Sequence, residues 1–128
     1  MNILLDTHIF LWFISNSNQL SDYYYDIISD QENKVYLSVV SIWEAIIKYQ
    51  IGKLSFPESP EIYLPKQRKR HSIKSLSINE LTITRLTELP PLHRDPFDRL
   101  LICQALHHNF QMITEDHKIL SYPIISFV

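Results

Sequence analysis

Five carboxylates in this chain stand where carboxylates can do more than face water. Asp6 and Asp116 each follow an apolar run, Glu44 sits in the amphipathic segment 41-SIWEAIIKYQIGKL-54, and Asp95 and Asp98 lie in 93-HRDPFDR-99. Carboxylates gathered at one place repel, so a fold that gathers them needs a cation, a proton or a basic partner. Hard oxygen donors suit Mg²⁺ or Mn²⁺, which keep several waters and take only a few protein carboxylates directly. An ion held that way polarises a phosphodiester, orients an attacking water and stabilises the leaving oxygen; two ions about 4 Å apart would do so symmetrically. That is nuclease chemistry.

Each acid also has a structural use. Asp95 can cap a helix whose first residue is Pro96 and whose third is Asp98, where negative charge suits the helix dipole. Glu44 stands three residues after Ser41, so 41-SIWE-44 reads as a capping box, with Lys48 as the i+4 partner. Asp116 can open a turn or cap a short helix. Asp6 is harder to explain structurally, because an acid at the end of an apolar strand has few packing roles.

The elements that must position these acids follow from the apolar pattern. A buried strand over 2-NILL-5 hands over at Asp6-Thr7 to a helix through 8-HIFLWFI-14, and a second helix, capped by Ser21, runs to about Ile28. A strand over 35-VYLS-38 precedes a helix capped by Ser41 and stopped near Gly52. In 56–71, Pro57, Pro60 and Pro65 are expected to leave only short helical pieces. An edge strand follows over 73-IKSLSI-78, then a helix capped by Asn79 with apolar residues at Leu81, Ile83, Leu86 and Leu89. The helix opened by Asp95 runs to about Asn109, and strands over 111–114 and 124–128 close the chain. Alternating strands and helices imply an α/β fold, a three-layer α/β/α sandwich with a mostly parallel sheet, in which the functional crevice lies outside the C-terminal strand ends. Asp6, Glu44, Asp98 and Asp116 would meet there.

Composition excludes other chemistries. With 128 residues, 45% hydrophobic and 20% charged, the chain reads as one folded domain over 1–128. Gly52 is the only glycine, so neither a phosphate-binding P-loop nor a dinucleotide fingerprint can be written. Cys103, the only cysteine, lies in the apolar run 100-LLICQAL-106 and reads as a buried thiol. The histidines form no zinc-spaced cluster; His8, His93 and His117 flank the acids, with local hydrogen bonding as their expected role. No apolar run approaches the roughly 20 residues of a bilayer span and no leader is evident, so a soluble cytoplasmic protein is expected. The net charge of −2 argues against a broadly basic surface, yet the run 66-KQRKRH-71 with Arg94 and Arg99 could contact phosphates. A charge run is also commonly a solvated face.

Four stretches in order, 4-LLDTHIFLW-12, 38-SVVSIWEAIIKYQIGKL-54, 92-LHRDPFDRLLICQA-105 and 113-ITEDHKI-119, resemble PIN-domain proteins of the VapC type, the toxin half of prokaryotic toxin–antitoxin pairs. The resemblance implies a Mg²⁺- or Mn²⁺-dependent endoribonuclease. Asp6 matches the family's first-strand aspartate, Glu44 its helix glutamate, Asp98 the aspartate before the apolar helix, and Asp116 a more variable fourth acid. Asp95 matches a subgroup's extra aspartate, with metal binding, water orientation and helix capping all open. Thr7 and Thr114 would add hydrogen bonds near the site. An RNA substrate, a cognate antitoxin and a homodimer are implied in the same way, with no membrane partner. The alternative is a non-catalytic PIN-fold module binding RNA or protein. A phosphotransfer domain fits less well, because 6-DTH-8 lacks the second aspartate that such a site uses.

Overall fold

The computed structural model describes residues 1–128. The elements in order are β1 (Asn2–Leu5), α1 (Thr7–Ile14), α2 (Asp22–Ser29), β2 (Lys34–Ser38), α3 (Val39–Gln50), α4 (Pro60–Arg70), β3 (Lys74–Leu76), α5 (Glu80–Thr84), a 3₁₀ turn (Arg85–Glu88), α6 (Pro96–His108), β4 (Gln111–Ile113), α7 (His117–Leu120) and β5 (Ser126–Phe127). The five strands form one sheet in the order β3-β2-β1-β4-β5, and every pairing is parallel.

Why helices cover both faces can be read from β1. Ile3, Leu4 and Leu5 are all fully buried, which a strand achieves only when the faces to which its side chains alternate are both covered. Ile3 and Leu5 join Ile9, Phe10 and Phe13 of α1, Ala45 of α3 and Leu64 of α4. Leu4 points the other way, into Leu101, Ile102 and Cys103 of α6 with Ile119 of α7 and Tyr122. The expected three layers are therefore present, with β3 as an edge strand as its alternation suggests. No helix is long and apolar enough to cross a membrane.

Three local expectations are corrected. Helix α3 is capped by Ser38, whose Oγ accepts from the Val40 N–H, and not by Ser41, so 41-SIWE-44 is no capping box. Ser41 is buried and instead accepts a hydrogen bond from Thr7 Oγ1 at 2.8 Å. Residues 60–70 form one continuous helix with Pro65 inside it. A proline there removes one backbone hydrogen bond, and burial of Leu64 and Gln67 on the same helix offsets that loss. In the segment after Asn79, Thr82 rather than Leu81 or Ile83 turns inward; Leu81 and Ile83 are exposed, and the helix passes into the 3₁₀ turn. The stops fit better: Gly52 has φ +80 beyond α3, and Asn109 ends α6 with φ 56, both left-handed.

Chain order fixes where a ligand can enter. After β1 the chain builds outward through β2 and β3, then crosses back to place β4 on the other side of β1. The sheet's switch point therefore lies between β1 and β4, and the crevice opens at their C-terminal ends.

Candidate metal centre

Asp6 and Thr114 leave those two strands side by side. The Asp6 N–H donates to Ile113 O at 3.0 Å, extending the β1–β4 ladder by one bond, and Thr114 Oγ1 donates to Asp6 Oδ2 at 2.7 Å. Asp6 occupies the N-cap of α1, but its side chain makes no capping bond. Only 4% of it is exposed, and burial pushes its carboxyl above the usual range; Glu44 pushes the same way, while the Thr114 bond and His8 oppose. The structural explanation for this acid is thus missing, as its sequence context suggests.

Glu44 lies in the second turn of α3, one turn later than a cap at Ser41 would put it. Its side chain is 3% exposed. Oε2 pairs with Lys48 Nζ, the expected i+4 partner, but Oε1 is buried with no hydrogen-bond partner at all. An orphaned buried carboxylate oxygen is costly and calls for a cation or a donor.

Asp95 and Asp98 begin α6 as the helix-start pattern predicts. Asp95 Oδ1 accepts from the Asp98 N–H at 3.0 Å, so Asp95 is the cap and Asp98 is free to face the crevice. Burial, and after it the charges of Asp6, Asp95, Glu44 and Asp116, together raise the Asp98 carboxyl to about 8. Four other carboxylates acting on one is the electrostatic signature of convergence. Asp116 caps α7, its Oδ1 accepting from Lys118 N–H at 2.8 Å and Ile119 N–H at 3.1 Å, so its capping role is realised while it still reaches the cluster. Thr114 Oγ1 also accepts from the Asp116 N–H at 3.0 Å and so ties the ends of β1 and α7 together.

Against these acids stands little positive charge. Burial lowers Lys48, but its bond to Glu44 and the charges of Glu44, Asp95 and Asp98 prevail, so the ammonium is held above its ordinary range. Arg94 and Arg99 pair with none of the acids; Arg99 Nη1 donates to His93 O at 3.2 Å. Both arginines line, with Trp43, Ile83 and Leu86, a separate cleft of about 450 Å³. The run 66–71 is directed elsewhere: Lys66 pairs with Glu58, Arg68 donates to Ile73 O, and the end of α4 feeds the start of β3 at the opposite sheet edge. A phosphate-binding role for that run beside the acids is not supported.

The residues fit a hard divalent cation. Oxygen donors predominate, one buried oxygen lacks any partner, and a carboxyl held near 8 by burial and by its acidic neighbours would regain its charge beside a cation. An open cleft of about 260 Å³, lined by Asp6, His8, Ile9, Trp12, Glu115 and Asp116, leads to the cluster. Thr7 turns into the protein toward Ser41 and so braces the start of α1 against α3. Three residues outrun their sequence signals: Lys48, legible only as a helix neighbour; Glu115, legible only as adjacent to Asp116; and His93, whose ring is 8% exposed with Nε2 2.8 Å from Asp98 Oδ2. Cys103 is buried, its thiol pushed up to about 11 by burial, and it takes no part.

Comparison with known proteins agrees with this fold. The profile described as "PIN domain" matches residues 3–124. Ribonuclease VapC16 of Mycobacterium tuberculosis (strain ATCC 25618 / H37Rv) is 38% identical over 53 residues, which are 41% of this chain and 38% of that protein. The match thus spans well under half of that curated relative. A chain in the crystal structure of VapBC2 from Rickettsia felis, bound to a DNA fragment from their promoter, superposes with a TM-score of 0.73 at 18% identity, over 100% of this chain and 98% of that one. At that identity the likeness is one of fold.

Proposed function

This chain belongs to the PIN-domain family, and from that premise we propose that it is a divalent-metal-dependent endoribonuclease, the toxin of a VapBC-type toxin–antitoxin pair acting in the cytoplasm. The observation that carries the proposal is the partly buried acidic cluster at the switch point, with one lysine for five carboxylates and one orphaned carboxylate oxygen. Asp6, Glu44, Asp98 and Asp116 would hold Mg²⁺ or Mn²⁺, with Asp95 capping the helix that presents Asp98. A bound ion supplies Lewis acidity toward a phosphodiester and toward water.

The remaining work belongs to the chain. Thr114 fixes the rotamer of Asp6 through a 2.7 Å bond, and Thr7 fixes α1 against Ser41 of α3, so the site is preorganised by hydrogen bonds to two helices and two strands. Lys48 neutralises one Glu44 oxygen and leaves the other without a partner. Arg94 and Arg99, which pair with none of the acids, would take phosphates of the strand beyond the acidic cluster. Water adds to phosphorus, the P–O bond to the leaving strand breaks, the departing oxygen takes up a proton, and no covalent enzyme intermediate forms. A single PIN domain over 1–128, a homodimer in solution and an antitoxin that covers the acidic cleft complete the proposal. VapC16 is named a ribonuclease and the Rickettsia chain is part of a VapBC complex, which supports both halves of it.

The test is cleavage of structured RNA with and without Mg²⁺ or Mn²⁺, beside Asp6→Asn and Asp98→Asn. Metal-dependent cleavage lost in both variants supports the hydrolase. Equal cleavage by the variants would remove the acids from the chemistry, and RNA binding without cleavage would favour a binding module.

A further inference from the structure

His93 is the one histidine of the six that is buried, and its surroundings define which of its ring nitrogens carries the proton. Its backbone is pinned at both ends. The His93 N–H donates to Tyr122 Oη at 3.0 Å, the buried tyrosine donates in turn to Pro90 O at 3.0 Å, and Arg99 Nη1 donates to His93 O at 3.2 Å. The ring is held as well, because Nδ1 accepts from the Asp95 N–H at 3.2 Å. A nitrogen that accepts has a free lone pair, so the ring proton sits on Nε2.

Nε2 faces the acids. It lies 2.8 Å from Asp98 Oδ2 and 3.7 Å from Asp116 Oδ1, buried and off the axis of an aligned hydrogen bond. Ligand atoms of His93, Asp98 and Asp116 all fall within 4.8 Å of one another, a spacing that would suit a three-ligand metal site. The tautomer opposes that assignment. Ligation through Nε2 needs its lone pair, so the proton would have to move to Nδ1, and the Asp95 N–H would lose its acceptor at the start of α6.

Resting on the metal-site reading above, we propose that His93 is a positioning residue: its Nε2–H donates to Asp98 and sets which carboxylate oxygen is left for the cation. The motif 93-HRDPFDR-99 then forms a closed circuit. Asp95 N–H is held by His93 Nδ1, Asp98 N–H by Asp95 Oδ1, and the Asp98 carboxylate by His93 Nε2. Asp116 Oδ1, at the N-cap of α7, lies 3.7 Å from the same nitrogen, beyond hydrogen-bond length, so the one Nε2–H serves Asp98. A small turn of the Asp98 carboxyl would complete the bond and satisfy the unpartnered nitrogen.

Two measurements test this. On the wild-type protein, long-range ¹H–¹⁵N correlation of the histidine rings, without and with saturating Mg²⁺, is expected to show the Nε2–H tautomer for His93 in both states. An Nδ1–H tautomer, or an Nε2 shifted as a metal ligand, would overturn the proposal. Mn²⁺ affinity read by isothermal titration supplies the second readout. His93→Phe should weaken binding by roughly 10- to 100-fold, the usual range for an outer-shell partner, and His93→Gln, which retains a donor near Nε2, should recover most of it. Undiminished Mn²⁺ binding by a folded His93→Phe would also overturn it. If the wild type cleaves no RNA while the tautomer and the Mn²⁺ effect stand, the ribonuclease reading fails and the positioning role survives.

Discussion

The two edges of the central sheet carry opposite charge. At the C-terminal edge, where α1, α3, α6 and α7 begin, stand Asp6, Glu44, Asp95, Asp98 and Asp116 with Lys48. At the N-terminal edge, where α4 ends and β2 and β3 start, stand Arg68, Lys69, Arg70, Lys34 and Lys74, outnumbering Asp30 and Glu32. Helix dipoles favour this arrangement at both edges, anions at helix starts and cations at helix ends. The difference lies in burial. Lys69 and Arg70 are solvated, which costs nothing, whereas Asp6 and Glu44 are almost wholly buried, which calls for a counter-charge or a proton. A net charge of −2 therefore hides a polarised molecule whose acidic edge is strained and whose basic edge is relaxed.

The largest effect expected from this contrast is on activity. Asp6→Asn and Asp98→Asn should each lower RNA cleavage by on the order of 10²–10³-fold, measured as initial rate at saturating Mg²⁺. Next is stability toward metal. Mg²⁺ at about 100 times its dissociation constant should stabilise the fold by roughly 2.7 kcal/mol and raise Tm by roughly 10 °C, an increment that EDTA abolishes; no shift would mean that the acids do not share a cation.

A smaller effect concerns pH. The Asp98 carboxyl is raised in the folded protein to about 8 from 3.8, so between those values the folded state holds a proton that the unfolded state has released. The contribution of this carboxyl to the stability of the metal-free protein is then fully present below about 4 and is lost as pH rises toward 8, with a slope of at most roughly 1.4 kcal/mol per pH unit for one proton. Asp98→Asn should flatten that slope in thermal melts at several pH values, and so should Mg²⁺ near pH 8, by repaying the charged form. Least affected should be the relaxed edge: Lys69→Ser with Arg70→Ser should change stability by no more than about 0.5 kcal/mol and cleavage less than about twofold. A large loss there would place RNA on the basic edge after all.

How much of this was legible in the sequence depends on the range of the interaction that decides it. Asp95, Pro96 and Asp98 obey helix-start rules within four residues, and the structure keeps both the cap and the orientation. Asp6 and Thr114 follow apolar strands whose parallel pairing alternation already implied, so their neighbourhood was legible too. The cap of α3 was not, because 38-SVVS-41 offers two serines and the choice between them is made by Thr7, 34 residues away, which bonds Ser41. Helix α4 was missed for a related reason: the cost of Pro65 is local, while the gain from Leu64 and Gln67 is tertiary. His93 was out of reach, since nothing in its spacing says that Tyr122 and Asp95 fix its ring against Asp98.

Isothermal titration of Mn²⁺ into the wild type, Asp6→Asn, Glu44→Gln and the Lys69→Ser, Arg70→Ser double variant compares the two edges directly. A shared metal centre predicts saturable binding that releases protons near neutral pH, falls at least tenfold in each acid variant, and is unchanged in the basic-edge variant. Equal Mn²⁺ affinity in all four proteins would contradict it, and the buried carboxylates would then need another partner.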